Sequence, residues 1–125
     1  MSEQENDAIV RRFIAEWSAE HADVATLLDY FTDDPVYHNM PGPPAEGREA
    51  VEAALKGVAA LNSRGWEIVH QAAIGDVVLN ERIDRWESGG KTVELPLCGV
   101  FELRDGKIAV WRDYFDMATF TRIMS

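Results

Sequence analysis

The sequence has few of the residues on which several common protein chemistries depend. Its single cysteine, Cys98, cannot form an intramolecular disulfide, and its three histidines, His21, His38 and His70, lack metal-binding spacing. No apolar run approaches the roughly 18 residues of a membrane-spanning helix, and the polar first residues contain no signal-peptide core. We therefore expect a cytoplasmic protein without a metal site.

Positive charge is also scarce. The chain carries 12 lysine and arginine residues against 22 aspartate and glutamate residues, which gives a formal net charge of -10. Such a surface repels phosphate backbones and anionic lipids, so we expect no nucleic-acid partner and no membrane partner. The sequence also lacks a GxSxG motif and a glycine-rich phosphate loop, which disfavours serine-nucleophile and nucleotide-dependent mechanisms. No cofactor is expected.

The 125 residues contain a helical first half and a β-rich second half. Apolar residues recur at helical spacing in three segments, and the turn-rich sequence at residues 40–47 is predicted to be a loop. The second segment ends its apolar stripe at Phe31. Four β-rich runs follow, which are separated by glycine-containing turns. The predicted strands are residues 66–74, 77–87, 91–103 and 107–116, with residues 36–40 as an additional short strand.

This order predicts an α+β fold in one domain that spans residues 1–125. About three N-terminal helices are expected to pack over one face of a curved, mostly antiparallel sheet and to leave a cone-shaped pocket. The segments Ser88-Gly89-Gly90 and Asp105-Gly106 have the composition of tight hairpin turns. The last three strands should therefore form an antiparallel meander.

Strand alternation groups the polar side chains that are able to carry chemistry. Residues two apart in a strand point to the same side, so Arg82 groups with Asp84, and Tyr37 groups with Asn39. The residues two positions before and two positions after Asp113, which point to the same side of the strand, are both aromatic. If that side is buried, this carboxylate must be paired, hydrogen-bonded or protonated, because an isolated buried carboxylate is very costly.

Each group also has an ordinary surface interpretation. On a solvent-facing strand, the aspartate would form an ion pair with Arg112 or Arg85. Arg82 and Asp84 would then be an exposed pair worth at most ~1 kcal/mol. The tyrosine and the asparagine would make hydrogen bonds at the edge of the proline-rich loop. Taken singly, no group decides between the buried and the exposed interpretation.

Three segments together point to a known family. They are YHNMPGPPAEGREAVE at residues 37–52, ERID at residues 81–84 and LCGVFELRDGKIAVWRDYFD at residues 97–116. With these segments, the chain resembles the limonene-1,2-epoxide hydrolase family over roughly residues 9–120. The resemblance implies the conical α+β fold of nuclear transport factor 2, ketosteroid isomerase and SnoaL-like cyclases. It also implies a cofactor-independent enzyme that adds water to a small apolar epoxide and gives a vicinal diol.

The resemblance also implies roles for the grouped polar residues. Asp113 corresponds to the general base, which acts on a water molecule held by Tyr37 and Asn39. Asp84 corresponds to the general acid on the epoxide oxygen, and Arg82 bridges the two carboxylates. The pocket walls implied for the substrate carbon skeleton are Trp86, Leu95, Leu97, Phe115 and Phe120. The tryptophan is bulkier than the aliphatic residue expected at its position, which predicts a reshaped cavity.

Two other functions remain open from the sequence. A ketosteroid-isomerase-like or polyketide-cyclase-like enzyme on the same fold moves a proton beside a carbonyl, and such a site rarely needs an arginine between two carboxylates. A non-catalytic binding or dimerisation module is the other alternative, because fold alone does not decide function. Such a module would need no cluster of this kind. The apolar residues Ile83 and Val110 on an open sheet face favour a homodimer, as the family typically forms.

Overall fold

The fold comprises four helices and six strands within residues 1–18 and 22–125, which the computed structural model describes. His21 lies outside the described residues. The helices are α1 (Glu3–Glu16), α2 (Val24–Leu28), α3 (Arg48–Ala59) and α4 (Met117–Ile123). The strands are β1 (Phe31–Asn39), β2 (Ala45–Glu46), β3 (Asn62–Ile74), β4 (Val77–Ser88), β5 (Lys91–Arg104) and β6 (Lys107–Tyr114).

The six strands form one sheet in the order β2-β1-β6-β5-β4-β3. Strands β3 to β6 pair in antiparallel fashion with their sequence neighbours, whereas β1 pairs with β6 in parallel. The hairpin between β5 and β6 turns at Asp105 and Gly106, whose φ angles are 51° and 79°. A two-residue hairpin turn of this kind requires positive φ at both positions. The predicted α+β fold, with a mostly antiparallel sheet, is therefore confirmed.

An aromatic core joins the helices to the inner face of the sheet. Helix α1 begins with a capping box between Ser2 and Glu5, and its apolar side buries Phe13 completely. The Phe13 ring lies edge-on to Phe101 and Trp111 of the sheet, with centroids 6.1 and 5.0 Å apart. Such edge-to-face pairs are favourable for aromatic rings. This contact fixes the helical layer on one part of the sheet.

A polar stretch of β4 lies between two apolar clusters. Val78 belongs to the aromatic core, and Trp86 belongs to a second cluster with Leu95 and Leu97. The residues between Val78 and Trp86 that point to the same inner face are Asn80, Arg82 and Asp84, all buried. The arrangement therefore places charged groups on the inner side of the sheet.

Several element boundaries differ from the sequence prediction. Phe31 begins β1 and pairs with Ile108 instead of ending the second helix. The expected loop at residues 40–47 contains β2, which pairs with β1, and β3 begins at Asn62, four residues earlier than predicted. The last strand ends at Tyr114, and α4 follows it. The apolar spacing of residues 24–31 allows Phe31 to belong either to the helix or to the following strand. The pairing with β6 places it in the strand.

His38, His70 and Cys98 lie at or near the surface. His38 Nε2 lies 2.8 Å from the Gly42 carbonyl oxygen, and His70 Nδ1 lies 2.8 Å from the Glu81 carboxylate. Cys98 is exposed on the outer face of β5. Within residues 1–18 and 22–125, no helix has the length and apolar character that crossing a membrane requires.

Candidate active site

The guanidinium of Arg82 lies at the centre of a buried cluster and has all five N–H donors satisfied. Nε and Nη2 donate to the two oxygens of Asp84 at 3.1 and 3.0 Å. Nη1 and Nη2 donate to the two oxygens of Asp113 at 3.2 and 2.8 Å. The remaining Nη1 hydrogen goes to Asn80 Oδ1 at 3.0 Å. Two carboxylates are thus held bidentately by one cation, the strongest geometry available to this pair of groups.

The surface interpretations of these charges are wrong, because the residues of the cluster are buried. Arg82 is 0% exposed, Asp84 4% and Asp113 2%. The Arg82 Cζ atom lies 5.3 Å from the ring centroid of Trp66 and 5.9 Å from that of Trp111. Trp111 Nε1 also donates to Asp113 Oδ1 at 2.7 Å. An aromatic enclosure therefore surrounds the ion pairs and strengthens their electrostatic interaction.

A glycine makes room for the guanidinium. The register aligns Asn80 of β4 with Gly99 of β5, and Gly99 with Asp113 of β6. A Cβ atom at Gly99 would overlap Arg82 Nη1 and would lie 2.9 Å from both Asn80 Oδ1 and Asp113 Oδ1. Only a residue without a side chain leaves this space, so Gly99 is a structural requirement of the cluster.

Gly99→Ala is therefore expected to displace Arg82 and to destabilise the protein by about 1–3 kcal/mol, as overpacking of a filled core does. Urea denaturation measures this loss. Gly57→Ala is the matched control, because Gly57 lies inside α3 and its added Cβ would meet no described atom within 4 Å. That substitution should stabilise the helix by up to about 1 kcal/mol. Equal stabilities of the two variants would contradict the close packing at Gly99.

The Asp84 carboxyl group differs from an ordinary aspartate in its protonation. Burial raises the pKa of Asp84, the charge and hydrogen bonds of Arg82 oppose this rise, and repulsion from Asp113 adds to it, so that the pKa is about 6. Two carboxylates and one guanidinium would leave one excess negative charge in a closed site. The raised pKa of Asp84 reduces that charge, because this carboxyl group takes up a proton at a higher pH than an ordinary aspartate does. Near neutral pH the cluster is therefore able to offer both a proton donor and a proton acceptor.

Strand β1 brings two further polar side chains beside Asp113. The parallel register pairs Tyr37 with Trp111 and Asn39 with Asp113. The Tyr37 and Trp111 rings stack with centroids 4.1 Å apart, and Asn39 Nδ2 donates to the Tyr37 hydroxyl at 3.3 Å. Burial raises the pKa of Tyr37, and repulsion from Asp113 adds a smaller increase. Its hydroxyl therefore stays protonated and is able to donate a hydrogen bond.

The cluster forms the polar end of an apolar cavity of about 320 Å³. Asp84, Asp113, Tyr37 and Asn39 line this end, whereas Arg82 lies behind the carboxylates. The remaining walls include all five apolar residues named from the resemblance: Trp86, Leu95, Leu97, Phe115 and Phe120. Apolar walls with a few convergent polar groups are typical of small-molecule sites.

The structure brings together every polar residue that the sequence grouped. Both Asp84 Oδ2 and Asp113 Oδ2 lie within 3.0 Å of Arg82 Nη2, so the two oxygens are separated by at most twice that distance. Sequence reasoning missed Asn80 and Gly99. Asn80 shares the alternation of Arg82 and Asp84, which was an available signal, whereas the role of Gly99 depends on the strand register.

Comparison with known proteins identifies relatives of the whole fold. The family model described as the limonene-1,2-epoxide hydrolase catalytic domain matches residues 4–124. The epoxide hydrolase EphG of Mycobacterium tuberculosis is 36% identical over 101 residues. That match covers 78% of this chain and 66% of the relative's length. The chain therefore spans slightly less than two thirds of this relative.

Solved structures show the same architecture. An LEH-like epoxide hydrolase from M. tuberculosis superposes with a TM-score of 0.83 at 29% identity, over 98% of this chain and 90% of the other. The epoxide hydrolase/cyclase-like enzyme SalBIII has a TM-score of 0.84 at 21% identity, over 94% and 95% of the two chains. At that identity, the second similarity describes the fold alone.

Proposed function

The chain belongs to the limonene-1,2-epoxide hydrolase family, and we propose on this basis that it adds water to a small apolar epoxide and releases a vicinal diol. One observation carries the proposal: two carboxyl groups share one buried guanidinium at the polar end of an apolar cavity. Water is a weak nucleophile and an epoxide oxygen is a poor leaving group. A base and an acid that act in one step solve both problems.

Asp113 is the proposed base, because Asn39 and Tyr37 lie beside it and offer hydrogen bonds to a water molecule. The water oxygen attacks one epoxide carbon while Asp113 accepts a proton from the water. Holding the water in this position removes part of the entropic cost of the reaction.

Asp84 is the proposed acid, because its raised pKa of about 6 keeps a proton available near neutral pH. As the epoxide C–O bond breaks, the leaving oxygen takes this proton and becomes the second hydroxyl. Each proton transfer contributes about 10²–10⁴ in rate. One proton has then moved from Asp84 to Asp113 in total, and exchange with solvent restores the starting state.

The proposed substrate is a cyclic or limonene-like epoxide whose carbon skeleton contacts the apolar walls. Trp86 and Phe120 form one wall, with ring centroids 6.2 Å apart, and Phe115 packs against Phe120 at 5.9 Å. These rings offer no charged group to a substrate. A neutral, apolar molecule therefore suits the cavity better than a charged one.

The test is incubation with limonene-1,2-epoxide and cyclohexene oxide in ¹⁸O-labelled water under single-turnover conditions. Mass spectrometry of the diol reports the source of the new oxygen. Label in the diol on the first turnover is the expected result, because water attacks directly. An unlabelled first-turnover diol would mean attack by an enzyme oxygen, and the absence of diol from both epoxides would contradict the proposed function.

The proposed acid predicts a pH dependence of kcat/KM. The acid step requires protonated Asp84, so kcat/KM should fall about tenfold per pH unit above the Asp84 pKa of about 6. Initial rates from pH 4.5 to 8.5, corrected for the spontaneous hydrolysis of the epoxide, measure this profile. Asp84→Asn should be slow throughout and should lose the alkaline decline. A rate that rises with pH over this range would contradict the assignment.

An isomerase-like or cyclase-like activity is the alternative on the same fold. It requires one aspartate beside a carbonyl, whereas here one arginine binds two carboxyl groups. The pairing therefore favours epoxide opening. Exchange of deuterium into a ketosteroid, followed by mass spectrometry, would identify the isomerase-like alternative.

We also propose that the outer face of the sheet joins two copies of the chain. Charges on this face are already paired within one chain, since Arg85 binds Glu67 and Glu94. Ile83 and the exposed Leu79 leave an apolar surface that a second, identical copy is able to cover. Light scattering after size-exclusion chromatography should give a dimer for the unmodified chain and a monomer for Leu79→Lys. An unmodified monomer would contradict this proposal.

A further inference from the structure

A chain of hydrogen bonds connects the buried guanidinium to helix α1. The fifth N–H of Arg82 is donated to Asn80 Oδ1, and Asn80 Nδ2 donates to Gln71 Oε1 at 3.0 Å. Gln71 Nε2 then donates to Asp7, to its carboxylate at 2.8 Å and to its carbonyl oxygen at 3.1 Å. Asp7 in turn forms an ion pair with Arg11 on the surface of α1.

The two groups at the ends of this series of hydrogen bonds, the Arg82 guanidinium and the Asp7 carboxylate, determine the direction of every bond between them. A guanidinium only donates and a carboxylate only accepts. Asp7 therefore fixes the amide orientation of Gln71, which fixes that of Asn80 with its oxygen toward Arg82. The reversed Asn80 amide would place an NH₂ group against the cation. Asn80 is 1% exposed, so no solvent is available to replace its oxygen as an acceptor.

We propose that Asn80 is a positioning residue for epoxide opening, which holds Arg82 in the plane where it binds Asp84 and Asp113 together. This inference rests on the proposed function. Asn80 touches no substrate and acts only through the guanidinium. Gln71 and Asp7 support it by fixing its orientation.

The geometry indicates which contact depends most on Asn80. Asp84 binds the Nε and Nη2 edge, whereas Asp113 binds the Nη1 and Nη2 edge. Nη1 is shared between Asn80 and Asp113, and its bond to Asp113 is the longest of the five at 3.2 Å. Without Asn80, an unsatisfied Nη1 hydrogen would twist the guanidinium and move the proposed base.

Asn80→Leu is the first test, because leucine has a similar size and no acceptor. We expect kcat to fall about tenfold or more with KM within about twofold, since an unsatisfied charged donor is costly and the cavity walls are unchanged. Asn6→Leu is the matched control. Asn6 is also fully buried and donates to the Gly75 carbonyl and to Asp76, both at 3.3 Å, outside this hydrogen-bond chain. That control should lose stability while its kcat stays near normal.

Asn80→Asp is the second test and changes charge with little change of shape. The charged or titratable groups that face the Asp84 carboxyl are Arg82, Asp113 and Tyr37, and the variant adds one more carboxyl to the same cation. Like charges favour the protonated form of Asp84, so the alkaline decline of kcat/KM should move up by about one pH unit. A role limited to stability would leave the decline in place, as Asn6→Asp should.

Carbon-13 NMR titration of the aspartate carboxyl groups supplies a readout that needs no substrate. The expected result is an upward shift of the Asp84 titration in Asn80→Asp. The proposal is overturned if that titration is unchanged, or if folded Asn80→Leu keeps a normal kcat and KM. If Asn80→Leu does not fold, the Asn80→Asp titration decides. A wild-type protein that forms no diol would contradict the proposed function instead, and the NMR result would still decide how Asn80 acts on the cluster.

Discussion

Replacing Asp113 by asparagine is expected to lower kcat for epoxide hydrolysis by about 10²- to 10⁴-fold, because the amide is unable to accept a proton from water. The side chain would keep its shape but would change its hydrogen bonds. Asp113 accepts from Arg82 through both oxygens and from Trp111 Nε1. An amide supplies one acceptor oxygen and turns an NH₂ group toward a donor, so some loss of stability should accompany the loss of rate.

The measurement is diol formation by gas chromatography on folded Asp113→Asn, with a second aspartate as the control. Asp105→Asn makes the same chemical change at the exposed turn between β5 and β6, where φ is 51° and asparagine is well tolerated. Its kcat should stay within about twofold of the unmodified enzyme. Near-normal diol formation by folded Asp113→Asn would exclude Asp113 as the base.

Strand alternation was sufficient to group the polar residues but not to place them inside the molecule. Arg82 and Asp84 are two residues apart, and this spacing fits a solvent-facing strand as well as a buried one. Which face is buried depends on where the helices pack. The contact of Phe13 with Trp111 places α1 on the same face as Asp113, and a sequence pattern alone does not contain that information.

The rest of the cluster was not predictable because it depends on the register of three strands. Gly99 is ordinary in an apolar strand until Asn80 and Asp113 are aligned on either side of it. Asn80 points to the same side of its strand as Arg82. Its role as an acceptor is recognisable only once the two carboxylates are known to bind the other four N–H groups of the guanidinium. The roles of Gly99 and Asn80 can therefore be assigned only when the relative positions of several strands are known.

Two local predictions failed for a related reason. Phe31 fits the apolar stripe of α2, and its pairing with Ile108 across the sheet places it in β1. Helix α4 follows directly after the last strand, where the β pattern was extended to residue 116. Short elements carry little periodicity of their own, so tertiary contacts determine their structure. Strands β4 and β5, whose patterns are long, were predicted to within one residue at each end.

Arg82→Met is expected to have the largest effect on stability, with a loss of about 3–5 kcal/mol near pH 8. The substitution leaves Asp84 and Asp113 buried without their cation, and such a loss is a large part of the ~5–15 kcal/mol that stabilises a typical domain. The pKa of Asp84 would then lose the lowering effect of Arg82 and rise further above its value in the unfolded chain. Groups with a raised folded-state pKa stabilise the protein at low pH and lose that contribution as pH rises. The deficit should therefore be smaller at pH 5 than at pH 8.

Urea denaturation at both pH values separates this effect from a simple loss of packing. Arg85→Met is the matched control, because Arg85 lies on the outer face of the same strand and its pairs with Glu67 and Glu94 are partly exposed. It should cost at most ~1 kcal/mol at either pH. Adding Asp84→Asn and Asp113→Asn to Arg82→Met removes both unpaired charges and should recover much of the loss at pH 8. If Arg82→Met costs no more than Arg85→Met, or if its deficit is the same at pH 5 and pH 8, uncompensated buried carboxylates are not its cause. The buried cation would then serve catalysis without being needed to keep the two carboxyl groups inside the fold.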